Sequence, residues 1–476
     1  MNLLKPSINL MTQDQIKKVH QDALFILKDI GIKVDDKCAI KKFKSHSGCS
    51  TKGNTIRISD DIVEWAINAA PASINVYDRL GRMAFVLDSE QDADARFGVG
   101  VTNLHFQDPE KKEILPFFRH HMGKAAGLCE NLDHFDFIST PGVIQDLPPK
   151  TADLYGVIDI LANTAKPFVM LVSDWNGFEP ALELCRHIAG DITHKPFIIP
   201  YVNPITPLVL NAETTMKMDA AIHRGLPFIF SNYGMSGATC PITPAGTLAL
   251  LLAELLSGLV YSQLVKEGTP IILGSLPAAF DMKNAGSYYS PQSMLLNLAC
   301  ARMMKSYGIP HCGTSGCTNG WGADILASAP LAFNHLTSCI GYGGMVPFVG
   351  SCFDSLVFSP ELVVFSDDLI SQVRQFSLGF DISDTAVGFE DISSIGPGGN
   401  FLMSGLTAKY FRSSQFSSTI WPFLTLDQWK KRQGPSAAKL LREKTCHLLN
   451  HLNTPDDSKD IIERGEFYLK ENCRNI

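Results

Sequence analysis

The side chains of this sequence that are placed to do chemistry are mostly neither acids nor bases. Of eight short apolar runs along the chain, seven are followed by a loop with polar or aromatic residues at its start. These are Thr102, Asn103 and His105; Asp174 and Trp175; Asn203; Asn232 and Tyr233; Asp281; Thr318, Asn319 and Trp321; and Cys352, Phe353 and Asp354. No HExxH, GxSxG or GK[ST] pattern occurs, and no lysine stands out for Schiff-base chemistry. A loop asparagine ordinarily caps its own turn, and a loop aromatic ordinarily packs a rim. Trp175, Tyr233, Trp321 and Phe353 converging from four loops, with amide dipoles between them, would do something else. Their ring faces would attract a cation that has no N–H to donate, that is, a quaternary ammonium. His311, Cys312, Cys317 and Cys352 fall near adjacent run ends, but their spacing fits no standard zinc pattern, so no metal is expected.

Such a convergence needs a scaffold that brings loop after loop to one place. The runs begin at Ala95, Phe135, Phe168, Phe197, Pro227, Pro270, Pro310 and Met345, 29 to 43 residues apart, which is the spacing of βα units rather than hairpins. Thr243-Pro244, Ser290-Pro291 and Ser359-Pro360 each set a capping hydroxyl before a proline at the first helical position. Gly225, Gly268, Gly308 and Gly379 stand where the following helices should stop. The pattern predicts an α/β fold, a (β/α)8 TIM barrel over residues 95–379, whose active site lies just beyond the strand C-termini. An open doubly wound sheet is the alternative, but "GVGVTN" at Gly98 lacks the third glycine of a dinucleotide fingerprint. Residues 1–94 read as a cap: a helix opened by the Thr12–Gln15 capping box and closed at Gly31, a second helix from Ser59, and a hairpin turning at Arg79 to Gly81. Residues 380–476 form an extension expected to pack on the barrel.

Bulk properties narrow the partners. The net charge is −7 with no basic run, which argues against nucleic acid. Twelve cysteines without a CxxC pair, and an N-terminus without the order of a signal peptide, lead us to expect a reduced, cytoplasmic protein. Residues 246–265 approach membrane length but carry Glu254 and Gln263, so a buried helix is expected and no membrane span. A homo-oligomer stays open.

Five stretches, "NVYDRLGRM", "SGATCPITPAGTLALLLAELLSGLVYSQLVKEGTPIILG", "GIPHCGTSGCTNGWGAD", "SPELVVFSDDLISQV" and "SSIGPGGNFL", occur in the order and spacing of a known family. Over roughly residues 10 to 450 the chain resembles the trimethylamine methyltransferase family, especially its members without pyrrolysine that demethylate quaternary amines such as glycine betaine. The resemblance implies a (β/α)8 barrel. It also implies transfer of a methyl group from nitrogen to the Co(I) of a corrinoid (cobalamin) presented by a separate partner protein. Archaeal trimethylamine enzymes carry pyrrolysine in or near the segment matching "CTNGWGAD", where this chain has ordinary residues, so the resemblance favours a substrate with a fixed positive charge. That chemistry needs no acid or base, since the leaving group is a neutral tertiary amine and the nucleophile is external. On this reading Asn103, His105, Trp175, Asn232, Tyr233, Asn319, Trp321, Phe353 and Asp354 bind substrate, while Gly396, Gly398, Gly399, Asn400 and Arg412 face the corrinoid. Two departures stand out: Leu406 precedes Thr407 where the family usually shows His-Thr, and Phe353-Asp354 implies a different pocket, suited to proline betaine, carnitine or γ-butyrobetaine. Two other classes remain: a barrel that binds betaine or corrinoid without turnover, and a lyase or hydrolase using Asp174, Asp281 or Asp354, with or without zinc.

Overall fold

Every one of the eight apolar runs becomes a parallel strand in the computed structural model, which describes residues 3–89 and 94–472. They are β1 (Arg96–Val99), β2 (Phe137–Ser139), β3 (Phe168–Met170), β4 (Ile198–Val202), β5 (Phe228–Ser236), β6 (Ile271–Asp281), β7 (His311–Cys312) and β8 (Met345–Val349). Each pairs with the next, and β8 pairs back onto β1 through Met345 and Arg96, so the sheet closes. A helix follows each strand: α1 (Arg119–Asn131), α2 (Pro149–Asn163), α3 (Trp175–Ala189), α4 (Ala212–His223), α5 (Pro244–Val265), α6 (Pro291–Tyr307), α7 (Ile325–Ile340) and α8 (Pro360–Leu378). The barrel therefore forms where the spacing placed it, and the open-sheet alternative falls. Gly308 and Gly379 lie at φ +68° and +67°, the left-handed region that ends a helix cheaply only for glycine.

The N-terminal residues stopper the barrel. The hairpin Ser73–Tyr77 with Met83–Asp88 puts Ile74, Val76, Phe85 and Leu87 into one apolar cluster with the inward residues Phe137, Val169, Ile199, Ile229 and Ile272. Its backbone donates from Tyr77 to Pro196 and from Arg79 to Ala165, residues that precede β4 and β3. The hairpin thus sits at the strand N-termini, opposite the mouth. Buried Arg79 fixes it with a two-pronged ion pair to Asp457, at 2.6 and 2.8 Å. The capping box at Thr12 forms. Not read from sequence were the helix Lys37–Lys44 and the small sheet in which Ile32–Val34 pairs with Thr55–Ile58 and Val209–Leu210.

α5 is the one helix, among the described residues, long and apolar enough to cross a membrane, and 89% of its most apolar window is buried inside the fold. It lies between the barrel and the N-terminal helices. The C-terminal extension does not pack as one piece. Helices Ala437–Asn450 and Ser458–Asn472 lie on α8, α1, α2 and α3. Of residues 380–436, the stretch 418–421 packs on α8, where Trp421 meets Phe365 edge-on at 5.9 Å and Asp368 accepts from Ser418 Oγ and Thr419 N; Ile420 is the one buried residue of the segment, and most of its other side chains are exposed.

Candidate active site at the barrel mouth

Side-chain alternation decides what faces the mouth. On β5, Ile229, Ser231 and Tyr233 point inward, whereas Asn232 points out toward α5. There its amide donates to Leu251 O and Glu254 Oε2, both at 2.8 Å, and accepts from Ser275 Oγ at 2.7 Å. Asn232 is therefore a strut between strand and helix and has no group left for a ligand. Asn103 is equally committed: fully buried, it donates to Val101 O and to Pro141 O (2.8 Å) and accepts from Ser351 Oγ (3.0 Å), bracing the exits of β1, β2 and β8.

The expected aromatic set is rearranged in the same way. Trp175 opens α3 and packs on the outer core, 6.2 Å from Phe178. Phe353 turns outward into a cluster with Ala327, Leu331 and Leu362. His105 lies in a strand paired with Val357 and Pro116, in a small outer sheet. Trp321 is 64% exposed on the rim, where its carbonyl accepts from Gln107 Nε2 at 3.0 Å. Of the four aromatics, only Tyr233 faces the interior.

Three aromatics that the sequence reading missed complete the wall. β5 and β6 stay paired for nine residues, from Phe228↔Ile271 to Ser236↔Ala279, and rise past the barrel as a two-stranded ribbon. β6 then turns back as Gly286–Tyr288, a flap that delivers Ser287 and Tyr289 to the mouth. Tyr289 is half-buried against the inner cluster, with its hydroxyl 3.0 Å from Thr314 Oγ1 and its N–H donating to Asn319 Oδ1 at 3.3 Å. Deeper in, Tyr201 meets Phe348 edge-on at 5.5 Å. The Tyr201 hydroxyl lies beside Ser231 and Asn203 yet makes no hydrogen bond among the described residues. Tyr201 follows Ile199 by two on β4, so period-2 alternation was the available signal. Tyr289 gave none, because it precedes the Ser290-Pro291 cap and reads as the end of a loop.

Asp354 completes the site. Phe353, Asp354 and Ser355 lie consecutively at φ +50°, +53° and +68°, a strained run for residues other than glycine. The β7 exit loop holds that run in place: Gly320 O accepts from Phe353 N (2.9 Å) and Thr318 O from Asp354 N (3.2 Å). The carboxylate accepts from Ser287 Oγ, and burial pushes its pKa up. Its charge also helps raise the pKa values of Tyr233 and Tyr289, which places it beside both rings. Among the described residues no cationic side chain pairs with it. By contrast, Asp174 caps α3 through Gly177 N at 3.0 Å, and Asp281 ties the flap turn through Lys283 N at 2.9 Å. Neither carboxylate is free to act as a base in the mouth.

On the β1 to β4 side the mouth opens into a cavity of about 290 Å³, whose wall includes Thr102, Thr140, Tyr201, Asn203 and Lys217. Lys217 Nζ donates to Val172 O at 3.1 Å, and burial lowers its pKa. Cys317 and Cys352 donate to the carbonyls of Phe348 and Val357, and burial pushes both thiols up to about 12. The described residues include no group of three His, Cys, Asp or Glu positioned to hold a metal. Gly396, Gly398, Gly399, Asn400 and Arg412 lie on the exposed 380–436 segment. No hydrogen bond, ion pair or ring contact among the described residues joins them to the mouth; Asn400 accepts from Leu402 N, and the Arg412 guanidinium lies over Phe411.

Comparison with known proteins converges on one family. The family model described as trimethylamine methyltransferase (MTTB) matches residues 2–471. A glycine betaine methyltransferase of Desulfitobacterium hafniense (strain Y51) is 25% identical over 438 residues, covering 91% of each chain. A trimethylamine methyltransferase MttB of Methanosarcina barkeri (strain Fusaro / DSM 804) is 26% identical over 466 residues, 96% of this chain and 93% of that one. The crystal structure of the Methanosarcina barkeri monomethylamine methyltransferase (MtmB) superposes with a TM-score of 0.55 at 10% identity, over 97% of this chain and 88% of that one, and shares the fold. With its closed barrel and near full-length match, the chain is a methyltransferase of the trimethylamine methyltransferase (MTTB) family.

Proposed function

We propose that the chain demethylates a quaternary amine of betaine type and passes the methyl group to the corrinoid of a separate carrier protein. One observation carries this reading: a half-buried carboxylate, Asp354, stands beside Tyr233 and Tyr289 and has no cationic partner among the described residues. Withdrawing a charge from water without a counter-ion is costly, and a substrate with a permanent positive charge that closes over the carboxylate supplies what is missing. The rings of Tyr201, Tyr233, Tyr289 and Phe348 offer π faces to the N-methyl groups. A primary, secondary or protonated tertiary amine brings an N–H that needs an acceptor, whereas a quaternary one needs only charge and shape. The glycine betaine methyltransferase among the relatives supports the substrate class. The cavity beside the cage has room for the rest of such a molecule, with Lys217 and the Thr102 and Thr140 hydroxyls as donors for a carboxylate.

The corrinoid supplies the nucleophile when its carrier is docked, so this chain's residues have to desolvate the cation and aim one methyl outward. The rim fits a docking partner, because Leu104, Ile242, Met282, Trp321, Ile325 and Leu356 stand exposed around the mouth. The decisive experiment follows tertiary amine by NMR while the protein is incubated with a reduced corrinoid carrier and a panel of quaternary amines. Product from at least one betaine is expected, and no product from any would overturn the reading. A thermal-shift panel should identify the ligand first, since one present at a hundred times its Kd adds about 2.7 kcal/mol of stability.

Two substitutions separate cage from rim. Tyr289→Leu should raise the substrate Kd by roughly 2- to 30-fold, the equivalent of about 0.5–2 kcal/mol of cation–π contact, as read by calorimetry. Trp321→Ser should leave that Kd unchanged and raise the apparent KM for the carrier.

A further inference from the structure

Three tyrosine hydroxyls come with the cage, and they are not equivalent. That of Tyr289 pairs with Thr314 Oγ1 at 3.0 Å, and that of Tyr233 lies beside Ser287 on a residue 37% exposed. Tyr201 is 6% exposed, and its hydroxyl has no hydrogen-bond partner among the described residues. Neither has the buried Oγ of its neighbour Ser231. A ring wanted only for its π face could be phenylalanine, as the ring it meets at position 348 is. A phenol oxygen withdrawn from water without a partner destabilises the fold, so the hydroxyl is placed for an acceptor that arrives with the ligand.

The surroundings say what that acceptor is. Tyr201 belongs to two places at once: its ring lies in the inner cluster with Phe348, and the residue also lines the cavity of about 290 Å³ on the β1 to β4 side. That cavity runs on to Lys217, whose Nζ donates to Val172 O at 3.1 Å and lies 3.7 Å from Glu213. Asp153 on the same wall is taken by Ser173 N at 3.0 Å. Lys217 is the cationic side chain of that lining, so it marks where an anion is stabilised. A phenol is rigid. A cation held within about 6 Å of its ring centre and an acceptor about 2.7 Å from its oxygen therefore stand on the order of 5 Å apart. An extended chain advances roughly 1.2 Å per bond, so the carboxylate oxygen of an α-betaine, three bonds from nitrogen, ends about 3.6 Å away and falls short. With two or three methylene groups between nitrogen and carboxyl carbon, the oxygen stands roughly 5–6 Å out and reaches the hydroxyl.

We propose that Tyr201 is the specificity-determining residue of the site and acts as a ruler. Its ring meets the N-methyl groups, its hydroxyl donates to the carboxylate, and the pair selects trimethylammonio carboxylates with two or three methylene groups over α-betaines. Ser231 Oγ is the adjoining donor, and Lys217 supplies the counter-charge. The ruler rests on the proposed quaternary amine substrate and narrows that class.

Calorimetric Kd values for trimethylammonio carboxylates with one to five methylene groups, on the wild type and on Tyr201→Phe, test it. The wild type should bind the two- or three-methylene compound at least about 10-fold more tightly than the one-methylene compound, the effect of one hydrogen bond to a charged group. In Tyr201→Phe that ratio should fall to near one. The Tm of the ligand-free variant should hold or rise, because the lost hydroxyl had no protein partner. A wild type that prefers the one-methylene compound, or a length preference that survives in Tyr201→Phe, would overturn the ruler and leave the quaternary amine reading standing. So would methyl transfer from some other quaternary amine by a protein that binds no member of the series. Failure of every quaternary amine, in binding and in transfer, overturns both.

Discussion

Asp354→Asn is expected to weaken quaternary amine binding by roughly 30- to 150-fold. Removing one partner of a desolvated, hydrogen-bonded charge pair costs about 2–3 kcal/mol at a site that keeps some solvent. The same change should leave the ligand-free protein as stable as before or more so, because it removes a carboxylate that burial disfavours. That opposition of signs distinguishes a binding charge from a structural one. The pH dependence follows. Asp354 has a folded pKa raised above its unfolded value, so the native state holds more protons in the window between the two. Ligand-free stability therefore falls as pH rises through that window, and binding strengthens over the same range as the carboxylate ionises. In Asp354→Asn both trends should vanish. Calorimetric Kd values across pH 4 to 7 check this, and a pH-independent wild-type Kd would remove Asp354 from the site.

Glu254→Met should produce the largest loss of stability, about 3–5 kcal/mol, with a fall in Tm of about 3–5 °C for a chain this long. Glu254 sits in the middle of apolar α5 at 1% exposure and accepts three hydrogen bonds, from Leu208 N (2.6 Å), Thr206 Oγ1 (2.9 Å) and Asn232 Nδ2 (2.8 Å). Methionine matches its volume but leaves three buried donors unsatisfied. Glu254→Gln keeps one acceptor oxygen and should lose about half as much. The damage should also reach binding, since Asn232 is the neighbour that fixes Tyr233 on β5. Differential scanning calorimetry gives the first effect and ligand titration the second.

Sequence and structure agree where one physical rule acts alone. Strand spacing and proline-started, glycine-ended helices made the barrel legible, because each βα unit is a local object. The mouth was half legible. Reading the residues that follow each strand found Tyr233 and Asp354, but it also collected Asn232 and Phe353, which alternation and a left-handed turn send outward. Tyr289 arrives on a flap created by the extra length of the β5–β6 pairing, a tertiary event with no mark in the local sequence. The extension divides in a way its composition does not foretell: the helices Ala437–Asn450 and Ser458–Asn472 lie on the barrel helices, whereas most of the apolar side chains of residues 380–436 are exposed.

The hairpin that fills the strand N-termini carries one more meaning. With Ile74, Val76, Phe85 and Leu87 seated among the inward residues, the barrel has one door, and substrate, product and carrier must all use it. Traffic through a single door is ordered: under the proposed reaction the amine enters before the carrier docks, and the demethylated product waits until the carrier leaves. Excess carrier should then inhibit turnover competitively with the amine.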